Sequence, residues 1–209
     1  MPVLQFGTRE AVLNIVYDGP PFAGRATALR HLHTHVKNMP RTAIIAREQA
    51  KAKALSLPVP LAAGLIRPQF RTTLMLQALS GLTHRTKLRE SILRDADGVI
   101  FVADPQWDRM DETMQAFEAL KTTLWQTGTS LDAVPYVVQV SKCDLPEIAP
   151  PDYLSHLFAR HDGFCGLRFS NATSGVGMLD APNILLKKLL AKDAAVEREC
   201  PPLQLKNGP

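Results

Sequence analysis

The sequence predicts an α/β fold with a mostly parallel central sheet covered by helices on both faces. Three observations carry this reading: apolar runs of strand length recur along the chain, stretches of helical periodicity separate them, and short loops join the two. The length of 209 residues supports one domain with a full core, and a hydrophobic content of 45% excludes a disordered polymer.

The first strand is expected over residues 12–17, a mostly apolar run that ends in Asp18-Gly19-Pro20-Pro21 and therefore enters a tight loop. A helix over residues 26–36 follows, because Leu29, Leu32 and Val36 recur at three- and four-residue spacing. Residues 72–79 read as a second strand, 88–93 as a short helix, and 98–103 as a central strand. Met110, Met114, Phe117, Leu120 and Leu124 place a helix over 110–124, and residues 135–140 return to strand. Residues 164–169 supply an edge strand, and a closing amphipathic helix covers 184–190 with Lys187 and Lys188 outward. Residues 37–64 lack firm periodicity and contain Pro40, Pro58 and Pro60, so a mobile functional loop is expected there. Residues 1–198 form the expected domain and 199–209 a flexible tail.

Charge and cysteine content bound the function. Lys and Arg number 24 against 20 Asp and Glu, a balance of +4 that permits an acidic partner or peripheral membrane contact and does not imply nucleic acid. Cys143, Cys165 and Cys200 are odd in number and widely spaced, which argues against a disulfide framework and a Cys-x-x-Cys metal site. No charged-then-apolar leader opens the chain, and no apolar run approaches the roughly 20 residues of a membrane span. The expectation is a cytoplasmic protein without a transmembrane segment.

In an α/β fold, ligands bind at the carboxyl ends of the strands. There, Gly19-Pro20-Pro21-Phe22-Ala23-Gly24-Arg25-Ala26-Thr27 has the G-x-x-x-x-G spacing of a phosphate-binding loop between strand and helix. The motif ordinarily continues with Lys, which bridges phosphates, and with Ser or Thr, which ligates magnesium. Here those positions hold Arg25, a planar and longer cation, and Ala26, which has no ligating atom. Thr27 stands one residue late, turned by roughly 100° on a helix, and Pro21 removes one backbone donor. A glycine turn that merely caps a helix stays open on these residues alone.

Other segments make the comparison specific. Asn14-Ile15-Val16-Tyr17-Asp18-Gly19-Pro20, the run Asp97-Gly98 to Asp104, Arg109-Met110 with the helix after it, and the stretch from Pro135 through Ser141-Lys142-Cys143-Asp144 to Pro146 resemble the MglA family of bacterial Ras-like small GTPases. The resemblance implies a Ras-like G domain of the P-loop NTPase type. It implies that Asp144 accepts two hydrogen bonds from guanine while the stem of Lys142 covers the base; Ser141 replaces the family's Asn, which weakens the brace to the phosphate loop. Asn171-Ala172-Thr173-Ser174-Gly175-Val176-Gly177 resembles the last nucleotide loop, with the Ala172 N–H facing the guanine oxygen and Thr173 in place of Lys or Pro. Gly81 would offer its N–H to a terminal phosphate, and Leu82 stands where a water-positioning Gln is expected. Ala52 and Lys53 fall where the first switch should supply a Thr and an Arg, although a shifted loop could use Arg41-Thr42.

The resemblance thus implies GTP or GDP as ligand, while Ala26 argues against magnesium, and no catalytic residue or metal ligand is assigned. It also implies a roadblock-fold homodimeric, MglB-like partner and a polarity or gliding role. The expected activity is regulatory switching or scaffolding with weak or absent hydrolysis. A GTPase completed by a partner and a nucleotide-free interaction module stay open as alternatives. His31 and His35 have the i, i+4 spacing of a metal pair but no third ligand, and Trp107 and Trp125 read as core or partner contacts.

Overall fold

A computed structural model describes residues 3–36, 44–49, 52–80, 87–192 and 203–204. Its elements are β1 (Val3–Gln5), β2 (Glu10–Asp18), α1 (Arg25–His35), β3 (Ile45–Gln49), β4 (Ala52–Pro60), β5 (Arg71–Ser80), α2 (Lys87–Arg94), β6 (Gly98–Ala103), α3 (Met110–Gln126), β7 (Tyr136–Val140), α4 (Pro151–Phe158), β8 (Phe164–Phe169) and α5 (Asp180–Lys192). A single 3-10 turn, Trp107–Arg109, leads into α3.

The strands form one eight-stranded sheet in the order β3-β4-β5-β2-β6-β7-β8, with β1 beside β2. Strands β5, β2, β6, β7 and β8 run parallel, and β4 and β3 add an antiparallel edge. β1 pairs with the start of β2, at Val3↔Val12, and β6 takes over from Ile15↔Gly98. Asp97 fixes this handover: its carboxylate accepts the Asn14 N–H at 2.8 Å and its own N–H donates to the Asn14 carbonyl at 2.9 Å.

Two hydrophobic cores follow from the layering. On one face α1 and α5 pack Leu29, Leu32, Leu185 and Leu186 against Leu13, Ile15, Leu57, Leu74 and Leu76. On the other, α2, α3 and α4 pack Leu93, Phe117, Leu120, Leu154 and Phe158 against Val99, Phe101 and Val138. Both faces of the central strands are therefore covered, which is why β6 and β7 read as continuous apolar runs and not as alternating ones.

The expected elements all form, with ends shifted by a few residues. The reading of 37–64 as one loop is corrected over 45–49 and 52–60, which are strands β3 and β4. Ala54, Leu55, Leu57 and Val59 are buried there, and the prolines are accommodated because β3 pairs with β4 only as far as Ile45↔Ser56. Pro58 and Pro60 lie beyond that register, where a missing N–H costs no bond to β3. Residues 37–43, including Arg41 and Thr42, lie outside the described set. So do most residues of the tail; within it, Leu203 exchanges hydrogen bonds with the Asn183 side chain at 2.8 and 3.1 Å.

Candidate nucleotide site

The site lies where the sheet's parallel strands end. Asp18 closes β2, and Gly19 then turns the chain at φ +145, a conformation that disfavours any residue with a side chain. Space makes the same demand: a Cβ on Gly19 would stand 2.3 Å from the Val102 carbonyl oxygen of β6. The loop closes through the Ala23 N–H on the Pro20 carbonyl at 3.3 Å, with Ala23 fully buried. Gly24 is the N-cap of α1 in the left-handed region, and its carbonyl accepts the first helical bond, from the Ala28 N–H at 2.8 Å. The first-turn N–H groups of Arg25, Ala26 and Thr27 have no intrahelical acceptor, so this end of α1 can meet an anion. Phe22, at the loop tip with φ 63, is 77% exposed.

Arg25 does not extend into solvent. It is 9% exposed, and its Nη1 stands 3.7 Å from Asp18 Oδ1. Burial pulls its basicity down, Asp18 opposes that, and the neighbouring Arg89 adds to it. Asp18, 2% exposed, gives its other oxygen to Arg89 of α2 at 2.5 Å. Arg89 also donates to Thr123 Oγ1 at 2.5 Å and to the Ala119 carbonyl of α3 at 3.3 Å. One buried carboxylate therefore joins the loop at Gly19–Gly24, α2 and α3. Ala26 is partly buried and has no side-chain oxygen, while Thr27 is exposed on the turn after it. The magnesium-ligand position of the motif thus carries no ligating group. Among the described residues no group of three His, Cys, Asp or Glu side chains could hold a metal ion, and the His31–His35 pair stacks at 4.1 Å between ring centroids.

The Ser141–Asp144 turn follows β7. The Ser141 N–H and hydroxyl both donate to the Ala103 carbonyl of β6, at 2.9 and 3.0 Å. Ser141 thus braces this turn to the sheet. Lys142 adopts φ 54, and its Nζ binds Asp104 Oδ2 at 2.6 Å. Asp104 is 1% exposed and also accepts the Gln106 N–H at 3.3 Å. Asp144 is exposed at the mouth of the turn. Beyond β8, Asn171 Oδ1 accepts the N–H groups of Thr173 and Ser174 at 2.7 and 3.2 Å, which curls the 171–177 loop; Ala172 is partly buried and Thr173 exposed. The Ser170 N–H on the Val140 carbonyl at 2.7 Å seats that loop beside the Lys142 turn. His31 of α1 lies under it, and a Cβ on Gly175 would come within 2.8 Å of His31 Nε2.

The structure therefore brings Gly19, Phe22, Ala23, Gly24, Arg25, Ala26 and Thr27 to the same sheet edge as Ser141, Lys142, Asp144, Ala172 and Thr173. Gly81 and Leu82 lie outside the described residues, as do the side chains of Ala52 and Lys53. Sequence reasoning did not single out Asp18, Arg89 or Asp104 as site residues; a charged residue at the end of an otherwise apolar strand was the available signal for Asp18. It also left Arg109 without a role, and this residue donates to the Pro21 carbonyl at 3.3 Å and pairs with Glu112. Trp107 and Trp125 are exposed and not core, Trp107 packing on Tyr153 at 5.1 Å. The Cys143 and Cys165 thiols donate to the Val140 and Gly163 carbonyls at 3.2 and 3.3 Å, and no helix among the described residues is long and apolar enough to cross a membrane.

A mostly parallel sheet flanked on both faces, with a phosphate-loop-spaced turn after its central strand and a Lys-x-Asp turn two strands away, defines the Ras-like small GTPase class. Within that class the chain belongs to the MglA family: it is 30% identical over 193 residues to the mutual gliding-motility protein MglA of Myxococcus xanthus (strain DK1622), covering 92% of this chain and 97% of that protein. No profile of a known protein family matches the chain.

Proposed function

We propose that this chain is a regulatory G protein of the gliding and polarity type that holds guanine nucleotide chiefly through its base-reading end and hydrolyses it slowly or not at all. The observation that carries the reading is the contrast between the two ends of the site. The base end is braced by Ser141 on Ala103 and by Lys142 on Asp104. At the phosphate end the cation turns inward to Asp18, and Ala26 stands where a metal ligand belongs. Asp144 accepts the two adjacent donors of guanine, a pairing that adenine does not offer. The Ala172 N–H meets the guanine oxygen, and Gly19 and Gly24 line the phosphate path, from which Arg25 is turned towards Asp18. Magnesium is not required. The protein acts in the cytoplasm through contacts with other proteins, a roadblock-fold homodimer first among them, and peripheral membrane contact is compatible with its +4 charge.

Titration with GDP and ADP tests the reading. GDP binds and ADP does not, and Asp144→Ala weakens GDP by about a hundredfold, the loss of two charge-assisted hydrogen bonds. Equal affinity for GDP and ADP would contradict it. Multiple-turnover phosphate release on adding a roadblock-fold partner, abolished by Arg25→Ala, would establish the opposed reading of an enzyme completed in trans.

A further inference from the structure

The inward pairing of Arg25 has a use of its own. In a phosphate loop of the ordinary kind, the motif's cation is satisfied by the nucleotide, so an emptied loop leaves a poorly compensated charge against low-dielectric surroundings. Here the chain supplies the anion. Asp18 is the last residue of β2, directly beneath the loop, and it is 2% exposed. Its two oxygens are divided: Oδ2 is held by Arg89 at 2.5 Å, and Oδ1 faces Arg25 Nη1 at 3.7 Å. Arg89 is in turn anchored on Thr123 Oγ1 at 2.5 Å, so the carboxylate cannot swing away from the loop. We infer that Asp18 is an intramolecular stand-in for phosphate, a positioning residue that keeps Arg25 satisfied when the loop is empty and makes a bound phosphate compete for it.

This inference rests on the functional reading above and deepens it at the phosphate end. The charge count sharpens it. Both guanidiniums contact Asp18, so removing Arg25 leaves the Asp18–Arg89 pair in place. Removing the Asp18 charge leaves two buried cations facing one another, which is the costly case. Occupancy of the loop by phosphate draws Arg25 off Asp18 and forfeits that pairing, so the phosphates add little net affinity. The empty protein is stable by the same contact.

The test is a cycle of nucleotide-stripped wild type, R25Q, D18N and D18N/R25Q, titrated with GDP and with guanosine and melted without ligand. GDP is expected to bind the wild type within about tenfold of guanosine, and R25Q to leave that ratio unchanged within about threefold. D18N frees Arg25 and raises the preference for GDP at least about tenfold, and R25Q added to D18N removes the gain. In the melts, the double variant is expected roughly 3 °C or more above D18N, since it no longer sets the Arg25 cation beside Arg89. Should D18N not fold, recovery of a cooperative melt in the double variant is the expected result. A hundredfold loss of GDP affinity in R25Q alone, melting losses that simply add, or a double variant that stays unfolded while R25Q folds would overturn the inference. Wild type that binds no guanosine would sink the base-reading proposal and leave the melts to decide this one.

Discussion

Gly19 sits at the point where the fold and the site meet. Alanine there would place a Cβ 2.3 Å from the Val102 carbonyl at φ +145, a clash with backbone that cannot rotate away. Gly19→Ala should cost about 3 kcal/mol, read as a lowered midpoint in urea. Ser141→Ala is predicted to be mild, about 1 kcal/mol, because the Ala103 carbonyl keeps the Ser141 N–H at 2.9 Å after the hydroxyl is gone. His31 gives a prediction in pH. Burial first, and then the stacked His35, depress its pKa, and the neighbouring Ala172 backbone opposes them only in part. A histidine whose folded pKa is depressed binds its proton more readily when unfolded, so its stabilising effect is complete above the ordinary value and falls away as pH drops below about 6.5. The melting temperature should therefore decline between pH 7 and 5, and His31→Gln should flatten that decline. At this scale the sequence was legible where a motif sets the spacing, as for the turns at Gly19 and Gly24. It was not legible for Asp18 and Arg89, which meet across 71 residues of chain and belong to no local pattern.

At the scale of elements, α3 carries the second core. Phe117 meets Phe101 and Phe158 edge-on at 5.0 Å each, so one side chain ties α3 to β6 and to α4. Phe117→Ala is predicted to cost about 3–5 kcal/mol in chemical denaturation, since three elements cannot all close on the cavity. Tyr136 adds a polar tie between β7 and α4, its hydroxyl donating to the Phe158 carbonyl at 2.5 Å. Long periodic elements such as α3 and the apolar strands β6 and β7 were readable because many residues vote for one period. α4 was missed because it is eight residues long, so Leu154, Leu157 and Phe158 cover barely one repeat of the helical period. β4 was missed because Pro58 and Pro60 argue locally against strand, and only the short reach of β3 makes them acceptable.

At the scale of the molecule, strand order places the loops after β2, β6, β7 and β8 on one edge of a sheet whose two faces are buried under separate helical layers. That arrangement follows from the alternation of apolar strands and amphipathic helices, and it is why the fold could be read from the sequence before any contact was known. The same scale decides what the site can do. A G domain ordinarily couples base reading to a metal-bridged phosphate grip; in this chain Ser141 is braced against β6, and Arg25 is folded back on Asp18. The proposed nucleotide binding does not depend on magnesium. The direct measurement is calorimetric titration of nucleotide-stripped protein with GDP, in excess magnesium and in excess chelator. The same Kd is expected in both within about threefold. Binding that strengthens tenfold or more with magnesium would contradict it, because it would require a metal site that Ala26 cannot form.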